Sequence, residues 1–381
     1  MQLPRVALLI ETSNAYARGL LHGVVSYLRE HGPWSIHLAE HGRGDVPPAW
    51  LPDWDGEGVI ARIENPAIAR AIRRLRAPVV DVSAAQLVPN LPWLETDDDA
   101  IARLAIQHLS ERGFRNFAYC GDSRFNWSNW RGERFRKQLA EAGHSCAQFK
   151  PRPQSGGDEE YEVEEIGNWL SQLPQPVGVL ACYDFRGRQV LDACRRRGIA
   201  VPEKVAVIGV DNDELLCSLC TPPLTSIIPN THRTGYEAAE LLDRMMRGAA
   251  VDTRGYFIEP LGIATRQSTD IVAIDDVNVS RAVRYIRDHA CEGIRVKDLL
   301  QAVPQSRRVL ESRFQKFIGR TPHEEILRVQ LDRARSLLTE TDLPLTEVAE
   351  QAGFSNTEYL SVVFKKHVGT PPGRYRNLNR P

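Results

Sequence analysis

The chain has 381 residues, too many for one ordinary domain and suited to two or three. Hydrophobic residues are 42% and charged residues 25%, a balance that excludes a disordered chain, and no run approaches the ~20 apolar residues of a membrane span. The net charge of −1 names no partner, but residues 271–381 sum to +4 and the preceding 270 to −5, so the tail is the part suited to nucleic acid.

Taken in chain order, the first 270 residues alternate apolar strands with helical segments. The patterning predicts a strand over Val6–Ile10 and a helix over Ala15–His31, stopped by Gly32 and Pro33. An alternating strand follows at Trp34–Glu40, a helix at Pro66–Leu75 and a strand at Pro78–Val82. Next come a helix at Asp99–Arg112, a strand at Phe117–Gly121 and a helix at Arg131–Ala142. The rhythm continues through Tyr161–Leu173, Val177–Cys182, Phe185–Arg197, Val205–Val210 and Thr231–Arg247. This βαβα order predicts parallel sheets covered by helices on both faces. Its length predicts two lobes, with the first crossing between them near residues 114–125.

The rhythm stops near Arg266–Thr269, and a linker is expected over residues 267–278. Helices are predicted at Ser280–Ala290, Val296–Ala302, Ser306–Ile318, Pro322–Leu338, Thr346–Gln351 and Thr357–His367. The domains are therefore expected at 1–270 and 271–381.

The tail contains an internal repeat. Residues 296–306 and 345–355 correspond at an offset of 49, and beyond the serines Ser306 and Ser355 the offset becomes 50. Leu310 then matches Leu360, Phe314 matches Phe364, Gly319 matches Gly369 and Pro322 matches Pro372. Each copy reads as helix, turn, helix. Pro304 or Gly353 breaks the first helix, and Ser306 or Ser355 is expected to cap the second. The second helix of such a unit enters the DNA major groove.

The exposed residues expected on the first recognition helix are Arg307, Arg308, Glu311, Ser312 and Gln315. Arginine can fork onto guanine and glutamine onto adenine. On the second helix, Asn356, Thr357, Glu358 and Ser361 are candidates for groove contacts, with Lys365 and Lys366 on phosphate. A solvated helix face is the alternative for any one of them. The repetition of turn, cap and apolar pattern argues against that alternative for the set.

The stretches Leu345–Ser355, Tyr359–Pro372 and Ala334–Leu338 resemble the DNA-binding domain of the arabinose-regulator (AraC-type) activators. The resemblance covers roughly residues 280–376. It departs in the first unit, where Pro304 replaces the usual glycine and Val309 a common aromatic.

In a two-lobed α/β domain, ligands bind between the lobes at the carboxyl ends of strands. The residues to read there are Ser13–Tyr16, Asp81, Asp122–Trp130, Tyr183–Phe185 and Asp211–Asp213. Carboxylates and guanidinium groups suit paired hydroxyls, and aromatic rings suit the C–H face of a sugar. Capping explains Asp184 and Asp211 as an alternative, a surface ion pair explains Arg131, and core packing explains Trp127 and Trp130. Of the run Asp97–Asp99, Asp97 is the candidate ligand contact.

Val207-Ile208-Gly209-Val210-Asp211-Asn212 is similar to a motif of the lactose/galactose-repressor (LacI/GalR) regulators and periplasmic sugar-binding proteins. The resemblance covers roughly residues 4–267. It implies a ligand-binding role for Asp211, Arg131 and Asp184, with Asn14 and Tyr16 on the first ligand loop; Phe185 and Trp127 are candidates from their place at the strand ends. It also implies a periplasmic-binding-protein-like α/β domain, here followed by an all-α domain with two helix-turn-helix units. Those repressors carry their DNA-binding domain first; this chain carries its own last. That order, with Arg287–Ile294 and Arg333–Leu338, resembles the bacterial xylose operon regulators.

The combined resemblance implies a sugar-responsive transcription regulator whose effector is D-xylose, acting on an operator in double-stranded DNA. A homodimer and a contact with RNA polymerase are expected from it. Other sugars, and repression in place of activation, remain open at this point. Catalysis is not expected, because no Gly-x-Gly-x-x-Gly, Walker loop or Gly-x-Ser-x-Gly occurs. No cofactor or metal is expected either. Cys217 and Cys220 form a Cys-x-x-Cys with no second pair, and the seven cysteines show no disulfide framework, which fits the cytoplasm. The N-terminus lacks the apolar region of a secretory signal.

Overall fold

The strand β1 (Arg5–Leu9) is buried along all but its first residue, as expected of a parallel strand covered on both faces. In this computed structural model, residues 3–40, 42, 46–83, 85–150, 159–270 and 276–379 are described. The chain separates into two units, Met1–Ile271 and Val272–Pro381.

In the first unit β1 is followed by α1 (Ala15–His31), β2 (Ser35–Leu38), β3 (Gly58–Ala61), α2 (Pro66–Ile72), β4 (Val79–Asp81) and β5 (Trp93–Thr96). The second lobe begins with α3 (Asp98–Glu111) and continues through β6 (Asn116–Cys120), α4 (Asn126–Glu141), β7 (Cys146–Gln148), α5 (Glu159–Leu170) and β8 (Val177–Ala181). Then come α6 (Asp184–Arg196), β9 (Val205–Val210), α7 (Glu214–Leu219) and β10 (Thr225–Ile228). The chain returns to the first lobe with α8 (Thr231–Met246) and β11 (Gly255–Ile258), and ends the unit with β12 (Gly262–Ala264) in the second.

Among the described residues there are two six-stranded sheets, ordered β11-β5-β4-β3-β1-β2 and β12-β10-β9-β8-β6-β7. Pairing is parallel except at the edge strand β12, which runs antiparallel to β10. One core packs α1 and α8 on the first sheet through Leu20, Val24, Leu241 and Leu242. The second lobe's core gathers Val163, Ile166, Val190 and Val207.

The first crossing lies at residues 96–98, between β5 and α3, and not at 114–125. Helix α3 packs against α4, and Leu109 fills the space over Gly178 of β8. His108 shares a 2.8 Å hydrogen bond with Thr269 Oγ1. The remaining crossings join β10 to α8 and β11 to β12. Backbone bonds tie these segments together: Asp97 N donates to Ile258 O at 2.9 Å and Leu261 N to Ile228 O at 2.8 Å.

The expected linker begins inside this fold. Ser268 and Thr269 are buried, and Ser268 Oγ donates to Val207 O at 2.7 Å. Residues 271–275 of that linker lie outside the described residues.

The second unit is helical: α9 (Val277–His289), α10 (Val296–Ala302), α11 (Arg307–Ile318), α12 (Pro322–Glu340), α13 (Leu345–Gln351), α14 (Thr357–Val368) and α15 (Pro372–Asn379). Thr321 starts α12 with a reciprocal cap. Its Oγ1 accepts from Glu324 N at 3.3 Å, and Glu324 Oε2 accepts from Thr321 N at 2.7 Å. The far half of α12 buries Leu331, Ala334, Leu337 and Leu338 against Val348, Leu360 and Phe364. No described helix is long and apolar enough to cross a membrane.

Candidate functional site

Ten residues of the first unit line a small cavity between its lobes: Tyr16, Arg62, Val82, Ser83 and Glu95 are among them, with Thr96, Asp98, Trp127, Arg131 and Asp211. Each lobe contributes an arginine laid against an aromatic ring. Arg62, just after β3, stands 5.1 Å from the Tyr16 ring centroid, and Arg131 on α4 stands 5.5 Å from that of Trp127. Both arginines are only 7% exposed, so each needs a fixed partner. Arg62 pairs with Glu11 at 2.9 Å and with Glu64. Arg131 Nε donates to Asp98 Oδ1 at 2.7 Å, and its Nη1 donates to Cys182 O.

Glu95 differs from these pairs. It is buried, and its Oε2 accepts no hydrogen bond from any of the described residues. Burial, reinforced by the nearby charge of Asp98, pushes its carboxyl up to about 8. A protonated carboxyl on the cavity wall can donate as well as accept, which matches a hydroxyl. Tyr16 OH lies 3.4 Å from Thr96 Oγ1 on the same wall.

The loops that carry these groups are held by buried aspartates. Asp81 accepts from Ser83 N at 2.9 Å and from Ile63 N at 3.4 Å, joining the loops after β3 and β4. Asp184 accepts from Ser226 Oγ and from Asp213 N at 2.8 Å. Burial and the charge of Asp211 push its carboxyl upward. Gly209 makes room for it, since a Cβ there would stand 2.2 Å from Asp184 Oδ1. The chain then turns sharply: Asp211 has φ 115° and Asn212 φ 48°. Two successive non-glycine residues in that region concentrate backbone strain at the cavity.

Among the expected ligand residues, Tyr16, Trp127, Arg131 and Asp211 line the cavity together. The others are placed differently. Asn14 caps α1, accepting from Ala17 N at 2.9 Å. Asp97 caps α3, accepting from Ala100 N at 3.0 Å, and its neighbour Asp98 is the one on the cavity wall. Asp184 braces the loop after β9 rather than the cavity wall. Phe185 is exposed, with the Arg188 guanidinium 4.5 Å from its ring. Trp130 lines an adjoining hollow with Trp93 and Phe257, which shares Glu95 and Asp98 with the cavity.

In the second unit, Leu310, Phe314 and Ile318 bury one face of α11, and Leu360, Val363 and Phe364 bury the matching face of α14. The opposite faces present Arg308, Ser312 and Gln315 on α11, and Glu358, Lys365 and Lys366 on α14, all exposed. Arg307 Nε donates to Glu311 Oε1 at 2.9 Å, so this pair is occupied with itself. Ser306 Oγ caps α11. The second cap is Asn356, accepting from Tyr359 N at 2.8 Å, and not Ser355. The extra residue after Ser355 moves the cap by one and commits Asn356 to its own helix. Thr357 opens α14, and Ser361 is half-buried beside the exposed face.

Comparison with known proteins agrees with both halves. A periplasmic binding protein-like domain matches residues 106–269, a XylR N-terminal domain residues 5–99 and a helix-turn-helix domain residues 299–378. The xylose operon regulatory protein of Escherichia coli K12 is 34% identical over 98% of this chain and 97% of its own length. The chain belongs to the xylose operon regulatory protein family. The Haemophilus influenzae member is 29% identical over 98% of both chains. A solved structure of a xylose-binding transcription activator matches with a TM-score of 0.84 and 33% identity, over 99% of each chain.

This regulator's cavity also holds Arg62, Ser83, Glu95, Thr96 and Asp98, which sequence reasoning missed. Four of them follow or end β3, β4 and β5, at the carboxyl ends where ligand groups are expected. Recognising β3 and β5 as strands was the missing signal for Arg62, Glu95 and Thr96. The fold, the two helix-turn-helix units and the family together make the chain a DNA-binding transcription regulator.

Proposed function

We propose that D-xylose binds between the two lobes and that its binding turns the regulator into an activator of transcription. The carrying observation is the unpartnered Glu95 Oε2 beside the Arg131–Asp98 pair, in a cavity flanked by Tyr16 and Trp127. A pentose offers hydroxyls to the polar groups and C–H faces to the two rings. The names of the relatives, which refer to xylose, support the choice of sugar. We assign sugar contacts to Tyr16, Glu95, Asp98, Trp127, Arg131 and Asp211, and DNA contacts to the outward faces of α11 and α14. Catalysis has no part in this reading, which takes the protein as a cytoplasmic homodimer that contacts RNA polymerase.

Sugar would close the lobes about the three crossing segments. It can act only by binding one state more tightly, and DNA must then tighten sugar binding by the same factor. The test is a titration of the purified protein with D-xylose, L-arabinose, D-ribose and D-glucose, followed by tryptophan fluorescence and calorimetry. Saturable binding of D-xylose alone, strengthened by operator DNA, is the expected result. Silence in both measurements removes the sugar assignment, and sugar affinity indifferent to DNA removes the coupling.

A further inference from the structure

The internal repeat aligns α11 and α14 residue for residue, and one of the positions at which the chemistry they present differs lies at the centre of the exposed face. At about 100° per residue, the direction opposite the buried face of α14 falls between Glu358 and Val362. On α11 the direction opposite the buried face falls between Ser312 and Lys316. The offset of 50 makes Ser312 the counterpart of Val362. Val362 is 67% exposed, with Lys365 and Lys366 exposed beyond it on the same helix. A single exposed apolar side chain is ordinary on a protein surface. Here it stands among Glu358, Tyr359, Lys365 and Lys366, the other exposed groups around it. Valine also adds nothing to a solvated helix, where its stiff χ1 lowers helix propensity.

We propose that Val362 reads a thymine by packing against its 5-methyl group in the major groove. Among the four bases only thymine presents that methyl there. The lysines that follow Val362 give the helix the positive charge that seats it against phosphate. The two helices therefore read by different means: α11 by the hydrogen-bonding groups of Arg308, Ser312 and Gln315, α14 by an apolar contact. The half-sites of the operator are accordingly unlike in sequence. This inference rests on the assignment of DNA contacts to α11 and α14.

The experiment uses the full-length protein. An operator is first selected by the wild type from a randomised duplex pool. Each thymine is then replaced in turn by deoxyuridine, which lacks only the methyl. One replacement should weaken wild-type binding about fourfold, the cost of leaving one methyl unburied. The same replacement should leave Val362→Ala unchanged, and that variant should bind the thymine operator about fourfold more weakly than wild type. Arg308→Ala serves as the control on α11. If Arg308→Ala weakens binding while no uridine replacement does, the thymine contact is wrong and DNA reading by the helices stands. If Arg308→Ala and Val362→Ala both bind as wild type, DNA reading by these faces fails as well. If Val362→Ala lowers transcription but not DNA affinity, Val362 touches a protein instead and the proposal is overturned.

Discussion

Arg131 Nε and Asp98 Oδ1 lie 2.7 Å apart, with each side chain 8% exposed. The pair joins α4 to the first turn of α3 at the cavity wall. Removing one partner of a buried pair leaves an uncompensated charge, at a cost of roughly 3–5 kcal/mol. Asp98→Ala should therefore lower the melting temperature by several degrees and abolish sugar binding. Asp98→Asn keeps an acceptor for Arg131, so it should fold with a smaller loss while sugar affinity falls at least tenfold. Calorimetric titration of Asp98→Asn checks this; wild-type affinity would remove Asp98 from the binding site.

Glu95 makes a pH-dependent contribution of definite sign. Its carboxyl is pushed up to about 8 from an ordinary value of 4.5 by burial and by the charge of Asp98. Between those values the folded protein binds a proton that the unfolded chain has released, so stability falls as pH rises through the interval. Glu95→Gln removes this dependence. The variant should match the wild type near pH 4.5, gain on it steadily up to about pH 8, and keep a constant advantage above that. Melting curves of both proteins from pH 5 to 9 read the difference, and parallel curves would show that Glu95 stays ionised in the fold.

The βαβα order and the double helix-turn-helix were legible because both are written in long periodic segments. The cavity was half legible because two of the strands that line it were not read as strands. These are β3 and β5, and without them nothing pointed to Arg62 or Glu95. Three successive aspartates at the start of α3 posed a register problem. Moving the helix start by one residue turns each side chain by about 100°, which is the difference between Asp97 as cap and Asp98 at the cavity. The cap at Asn356, rather than Ser355, is the same one-residue effect. The early crossing at residues 96–98 was hidden because patterning shows that α3 is amphipathic, not which sheet it covers.

Gln330 locks the two helix-turn-helix units together. From the middle of α12 its Nε2 donates to Ala290 O at 2.9 Å and to Gly353 O at 2.8 Å. Gly353 has φ 80°, and a Cβ there would stand 2.6 Å from Ala290 O, so only glycine fits that junction. Gln330→Leu strands two acceptors, at a cost of about 1–3 kcal/mol each if they stay dry. It should weaken operator binding more than it weakens binding to either half-site alone, because the two reading helices lose their fixed spacing. Equal losses on whole and half operators would show that Gln330 contributes stability only.

Arg308 and Lys366 should separate base reading from phosphate contact. Both are exposed, Arg308 on the presented face of α11 and Lys366 in the last turn of α14. Arginine can hold guanine O6 and N7 together, so Arg308→Ala should cost about 1–3 kcal/mol on the operator and little on random DNA. Lys366→Ala should weaken binding to both DNAs alike and reduce the slope of log K against log salt by about 1. Binding isotherms at three salt concentrations on both DNAs measure this. If Arg308→Ala loses as much on random DNA as on the operator, its guanidinium lies on phosphate, and base reading by α11 then falls to Ser312 and Gln315.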